Sequence, residues 1–312
     1  MPHRALPLPL AIATLGLAVF QLCCTPAGAQ QEPPPIGPEA IAGAEQLMGL
    51  AFTGPERDSM IDGLGEQLAA YESLRAHAPG NEVPPALIFD PLPRGFVVPE
   101  KAPAASWGIP DAVNLPADPA ELAFYSVAEL GFLIKNRKIT SVELTHFYLD
   151  RLKQYGDTLQ CVITLTEALA LEQARRADAE IAAGTYRGPL HGIPYGAKDL
   201  LAVPGYPTTW GAKPFEDQVI DETATVIRKL EAAGAVLVAK LSMGALAWGD
   251  VWYGGTTKNP WDLKQGSSGS SAGSASATAA GLVAFAIGTE TLGSIGSPST
   301  RCGTTGLRPT FC

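Results

Sequence analysis

Three patterns of apolar and polar positions divide the chain. The first is a mostly apolar run from Ala5 to Cys24, behind the basic start Met1-Pro-His-Arg4 and ahead of the small residues Ala27 and Ala29. A basic start, an apolar middle and an A-x-A end make a secretory signal peptide, with cleavage expected after Ala29. The alternative is an uncleaved anchor helix, which Pro7 and Pro9 would interrupt. Cys23 and Cys24 raise a lipoprotein, but Phe20-Gln-Leu22 is a poor lipidation box. The second pattern is helical. Glu39 to Phe52 has helical spacing, and Glu56 to Ala76 sets Met60, Ile61, Leu64, Leu68 and Tyr71 along one side. A helical hairpin is expected, followed over residues 78–118 by a Pro-rich wrap or linker.

The third pattern starts near Pro119. Ser126-Val-Ala-Glu129 and Thr140-Ser-Val-Glu143 are capping boxes, each opening a helix. Cys161–Leu165, Ile193–Ala197, Ala235–Ala239 and Leu282–Ile287 read as strands. Between them lie helical stretches at Glu167–Ala183, from an Asp221 cap to Ala233, and at Ser271–Ala280. Strands alternating with helices predict an α/β fold with a parallel or mixed sheet. The expected division is a signal peptide over residues 1–29, a helical hairpin and linker over 30–118, and an α/β domain over 119–312.

Charge and composition narrow the function. The 312 residues carry a net charge of −9. The sequence pI near 5.0 argues against a nucleic-acid partner. No apolar run beyond residue 30 is long enough to span a membrane, so no stable span is expected once the leader is cleaved. The five cysteines have no disulfide-framework or zinc spacing, and cleavage would leave Cys161, Cys302 and Cys312. A secreted or periplasmic protein is the expectation.

The chemistry points to Gly266-Ser-Ser-Gly-Ser-Ser-Ala-Gly-Ser-Ala-Ser276. A flexible linker of this composition would not run straight into apolar Ala277–Ile287. No Gly-Lys-Ser/Thr follows and Gly-x-Gly-x-x-Gly is absent here, so a phosphate cradle does not fit. A Gly-x-Ser-x-Gly elbow does not fit around Ser294 either. Nor do the four histidines suit a triad; His191 lies nearest and reads as structural.

Several motifs then occur in order: Gly192-Ile-Pro-Tyr-Gly-Ala-Lys-Asp199, Ser268-Gly-Ser-Ser-Ala-Gly-Ser274, Ala279-Ala-Gly-Leu282, Gly288-Thr-Glu-Thr-Leu-Gly-Ser-Ile295 and Gly306-Leu-Arg-Pro-Thr310. Over residues 119–312 the chain resembles the amidase signature family of serine hydrolases. The resemblance implies an α/β fold with a mixed sheet flanked by helices, present in part, behind an N-terminal helical extension. It implies a Ser-Ser-Lys triad of Lys198, Ser270 and Ser294, with Ser294 as nucleophile and Ser270 as bridge, and the separation of the two serines agrees with the family's. It also implies a cis peptide bond before Ser270. Backbone N–H groups of Thr291, Leu292, Gly293 and Ser294 would form the oxyanion hole.

Each role has its physical reason. Serine is a weak nucleophile until a base takes its proton. A hydroxyl accepts one proton while donating another, so Ser270 can relay between Ser294 and Lys198. Lys198 must be neutral at the outset, and burial among Ile193, Pro194, Tyr195, Ala197 and Leu200 would lower its pKa toward about 7–8. Asp199 reads either as a brace for the nucleophile loop or as an ordinary turn aspartate. Leu292 stands where many members have glycine, and Gly296 where many have arginine.

The reaction so implied is cleavage of a carboxamide C–N bond in a small-molecule or peptide-like amide, with no metal or organic cofactor. An esterase with the same triad is an alternative. The family includes the glutaminase subunit of a transfer-RNA amidotransferase, against which the signal peptide argues. Family domains continue past Leu-Arg-Pro-Thr, whereas this sequence ends at Phe311-Cys312. A C-terminally truncated domain, loosely packed and weakly active, or an inactive remnant that at most binds a partner, is the corresponding expectation.

Overall fold

A computed structural model describes residues 36–80, 92, 95–97 and 106–309. The expected signal peptide falls outside the described residues, as does much of the 78–118 wrap. Among the described residues no helix is long and apolar enough to cross a membrane.

The chain divides into two units, Met1–Ile88 and Phe89–Cys312. In the first, helix α1 (Pro38–Met48) and helix α2 (Gly54–Ala76) are joined by a short turn. Glu56 closes the start of α2 by accepting from the Thr53 N–H at 2.7 Å and the Thr53 hydroxyl at 2.8 Å. Buried Glu45 of α1 accepts from Arg57 Nε at 2.6 Å and Nη2 at 2.7 Å. The stripe of α2 is only half-covered: Met60, Ile61, Leu64 and Leu68 are partly buried, and Tyr71 is exposed.

The second unit is built on a four-stranded mixed sheet of β1 (Val162–Leu165), β2 (Pro194–Lys198), β3 (Val236–Leu241) and β8 (Phe285–Ile287), in the order β1-β3-β2-β8. β1 is antiparallel to β3, whereas β3 and β8 both run parallel to the central β2. β2 and β3 are buried on both faces, which is why they read as apolar runs rather than alternating ones. Both capping boxes form where expected, at the heads of α3 (Val127–Lys135) and α4 (Ser141–Leu159). Leu149, Leu152 and Leu159 from α4 and Ala170 and Ala174 from α5 (Glu167–Ala182) pack with Val236, Val238 and Leu241. A further cluster joins Tyr195, Ala197, Leu201, Val203, Leu237 and Ile227 of α6 (Thr225–Ala232).

Two boundaries differ from the sequence expectation. Asp221 does not cap α6; the helix starts at Thr225 after Ala224, whose N–H is taken by Ala202 O at 3.0 Å. That tertiary bond sets the entry of the chain. The last strand begins at Phe285, because Gly281 turns the chain at φ 63° and Leu282 N–H bonds back to Ala277 O at 2.8 Å.

The Ser/Gly stretch is not a linker. Helix α7 (Ala272–Ala279) is buried from Ala272 through Ala277. Its glycine allows close packing: a Cβ on Gly273 would lie 2.5 Å from both Cys161 O and Ser242 N. Two small hairpins precede it, β4 (Val251–Trp252) with β5 (Gly255–Thr256) and β6 (Lys258–Asn259) with β7 (Asp262–Gly266). Helix α8 (Gly296–Cys302) follows the 288–295 loop.

Candidate functional site

Strand alternation decides which side chains reach α7. Tyr195 and Ala197 face one side of the sheet, so Gly196 and Lys198 face the other. Lys198, fully buried, ends β2. Its Nζ donates to Ser270 Oγ at 2.8 Å, to Thr289 Oγ1 at 2.9 Å and to Thr289 O at 3.3 Å. Burial lowers its pKa from 10.5 to about 8.

Ser270 is 1% exposed and stands just ahead of α7. The Gly269–Ser270 peptide is cis. Only glycine fits at 269, because a Cβ there would lie 1.8 Å from Gly249 O. Ser271 ties the region together. Its N–H donates to Ser294 O at 3.0 Å, its hydroxyl donates to Thr289 O at 3.1 Å, and Thr289 N–H donates back to Ser271 Oγ at 3.1 Å.

The structure thus joins Lys198 to Ser270 directly and anchors Ser294 through its backbone. The half-buried Ser294 hydroxyl takes no hydrogen-bond partner among the described residues. The N–H groups of Thr291, Leu292 and Ser294 likewise have no acceptor among the described residues. Gly293 N–H faces the Glu290 carboxylate, which accepts from Ile295 N–H at 2.6 Å and Gly296 N–H at 2.8 Å. Those donors hold the Glu290 pKa below its ordinary value. Arg308 Nε lies 3.3 Å from its other oxygen. Leu292 is 90% exposed at the tip of this loop. Two hollows border the ends of this loop rather than its tip, one of about 480 Å³ beside Ser271, Gly288 and Ile295, the other of about 700 Å³ beside Ser268, Ser297 and Arg301.

Asp199 braces a different loop from the one expected. Asp199 follows the last residue of β2, in a turn, and its carboxylate meets Lys240 rather than Lys198. Asp199 Oδ1 lies 2.6 Å from Lys240 Nζ, with both side chains fully buried. Its other oxygen accepts from Thr209 N–H at 2.8 Å and the Thr209 hydroxyl at 2.6 Å. Lys240 also donates to Pro207 O at 2.6 Å and Thr208 Oγ1 at 3.1 Å. The pair therefore fixes residues 207–209 and the end of β2. His191 is structural: its Nδ1 accepts from Arg187 N–H at 3.1 Å and its Nε2 lies 3.0 Å from Glu180.

Sequence reasoning did not single out Thr289, Ser271, Lys240 or Glu290. Thr289 and Glu290 were visible inside the Gly288–Ile295 motif and Ser271 inside the Ser-Ser pair. Nothing in the sequence distinguished Lys240 as a partner of Asp199. Among the described residues no group of His, Cys, Asp and Glu side chains could hold a metal ion.

Comparison with known proteins places these residues in a context. The Amidase family model matches residues 143–312. The glutamyl-tRNA(Gln) amidotransferase A-subunit of Coxiella burnetii (strain Dugway 5J108-111) is 43% identical over 189 residues, 60% of this chain and 39% of its own length. The native peptide amidase of Stenotrophomonas maltophilia superposes with a TM-score of 0.54 at 36% identity, over 57% of this chain and 38% of that one. A bacterial aryl acylamidase gives a TM-score of 0.54 at 28% identity, over 56% of this chain and 37% of that one. The chain spans about two-fifths of the length of the curated relatives it matches.

Proposed function

Because the chain belongs to the amidase family, we propose that it hydrolyses a carboxamide C–N bond through an acyl-enzyme on Ser294, with Ser270 and Lys198 as its proton relay. One observation carries the reading: a fully buried lysine with a pKa of about 8 lies 2.8 Å from the hydroxyl of a buried serine. Such a lysine is substantially neutral at mildly alkaline pH and can serve as a base.

The steps balance. Ser294 gives its proton to Ser270 as Ser270 gives its own to Lys198 Nζ. Ser294 Oγ attacks the amide carbon, and the C=O electron pair moves to oxygen. That oxyanion is stabilised by the backbone N–H groups of Thr291, Leu292 and Ser294, which have no acceptor among the described residues, whereas the Gly293 N–H expected to join them is held by the Glu290 carboxylate. Collapse breaks the C–N bond, and the leaving nitrogen takes the proton back from Lys198 through Ser270. Water then cleaves the Ser294 ester along the same relay, releasing the acid.

Peptide amides and aryl amides are the substrate classes that the similar amidases suggest. The signal-like start supports a place outside the cytoplasm and counts against a role on aminoacyl-tRNA. Turnover of a peptide amide, an anilide and their matched esters tests the reading. Release of ammonia or aniline by the wild type, and none by Ser294→Ala, is expected. Amide turnover that survives Ser294→Ala, or ester cleavage without amide cleavage, would overturn it.

A further inference from the structure

We infer that Thr289 is a positioning residue for the base: its two oxygens engage both N–H groups of the neutral Lys198 amine and thereby turn the lone pair toward Ser270. This rests on the relay just proposed.

Lys198 Nζ has three oxygens within reach, Ser270 Oγ at 2.8 Å, Thr289 Oγ1 at 2.9 Å and Thr289 O at 3.3 Å. An ammonium has three N–H groups, one for each. The neutral amine has two N–H groups and a lone pair, so one of the three oxygens must donate instead of accept. Thr289 O is a carbonyl and cannot donate. Ser270 is 1% exposed, and among the described residues its hydroxyl has no partner other than Lys198. Its proton therefore goes to Nζ. Thr289 is only half-buried and can give its own hydroxyl proton to water while accepting from Nζ. That is the orientation in which Ser270 can pass a proton to lysine.

Thr289 is itself held in place. Ser271 Oγ is bonded to both its N–H and its carbonyl at 3.1 Å, and Ser271 N–H holds Ser294 O at 3.0 Å. One residue after the relay serine thus couples the loop that orients the lysine to the loop that carries the nucleophile. The surrounding charges are satisfied elsewhere. Asp199, in the turn just past β2, pairs with Lys240 of β3 at 2.6 Å, and Glu290 is taken by Ile295, Gly296 and Arg308. α7 and β8 carry no charged side chain.

The test compares Thr289→Val and Thr289→Ser with the wild type in two readouts. The first is the protonation midpoint of Lys198, followed by NMR of its labelled Cε, with the signal assigned by its loss in Lys198→Met. The second is the rate of labelling by a fluorophosphonate on the alkaline plateau. A hydrogen bond to an ammonium is worth more than one to an amine, so Thr289→Val should lower the midpoint by about half a pH unit or more. The plateau labelling rate should nevertheless fall at least about tenfold, because the lone pair is no longer directed. Thr289→Ser should restore both. An unchanged midpoint, or a plateau rate equal to or above wild type, would overturn the inference. Should Thr289→Val misfold, Thr289→Ala makes the same deletion without the branched methyl. A wild type that is never labelled would defeat the proposed function, while the NMR titration would still decide the role of Thr289.

Discussion

Replacing Lys198 with methionine should stabilise the protein in a pH-dependent way. The folded lysine has a pKa of about 8 against an ordinary value of 10.5. Below pH 8 the lysine is protonated in both states, and the folded protein bears the full cost of burying the charge. Between about pH 8 and pH 10.5 the folded state releases its proton while the unfolded state keeps it, so stability rises with pH. The fall in pKa corresponds to about 3 kcal/mol. Methionine removes that cost but leaves Ser270 Oγ and the Thr289 oxygens without their partner, a penalty of about 1–2 kcal/mol that does not titrate. The variant should therefore gain a net ~1–2 kcal/mol near neutral pH, and the gap relative to wild type should shift against it by about 3 kcal/mol by pH 11. Urea unfolding of both proteins across this range reads the difference directly, since other titrations are common to both and cancel. A difference that stays flat from pH 7 to pH 11 would mean that Lys198 keeps an ordinary pKa, and the argument for a neutral base would fail.

Gly269→Ala should destabilise by roughly 2 kcal/mol or more, because its Cβ would press on Gly249 O at 1.8 Å, a backbone atom that cannot step aside; thermal unfolding checks this. Lys240→Met should cost about 3–5 kcal/mol by leaving Asp199 buried and unpaired, and adding Asp199→Leu should recover much of that loss in the same denaturation assay. Amide turnover should rise with pH through about 8 as Lys198 loses its proton, and a profile that falls across that range would contradict a lysine base.

Local chemistry was the most legible part of the chain. The capping boxes at Ser126/Glu129 and Thr140/Glu143 are set by residues three apart and form as read. Asp221 had the same local credentials, yet α6 starts later because Ala224 is held by Ala202 across the fold. The apolar run of β3 announced a buried strand but hid the two roles of lysine in this sheet. Lys198 and Lys240 both interrupt apolar stretches, and only strand pairing sends one to a serine and the other to a carboxylate. Lys198, Ser270 and Ser294 were singled out because the resemblance supplied their positions, and the fold brings Lys198 and Ser270 into contact. Thr289 and Ser271 lay inside the same motifs, but their roles rest on contacts between segments eighteen residues apart, which no spacing rule encodes. Asp199 lies one residue past β2, so strand alternation did not fix its direction, and its partner on β3 could not be read without the fold.

Peptide mapping by mass spectrometry after reaction with a fluorophosphonate tests the relay most directly. The account expects one phosphonyl adduct, on Ser294, absent from Ser294→Ala and formed at least about a hundredfold more slowly in Lys198→Ala and Ser270→Ala. An adduct on another residue, no adduct on the wild type, or labelling indifferent to Lys198 and Ser270 would contradict it.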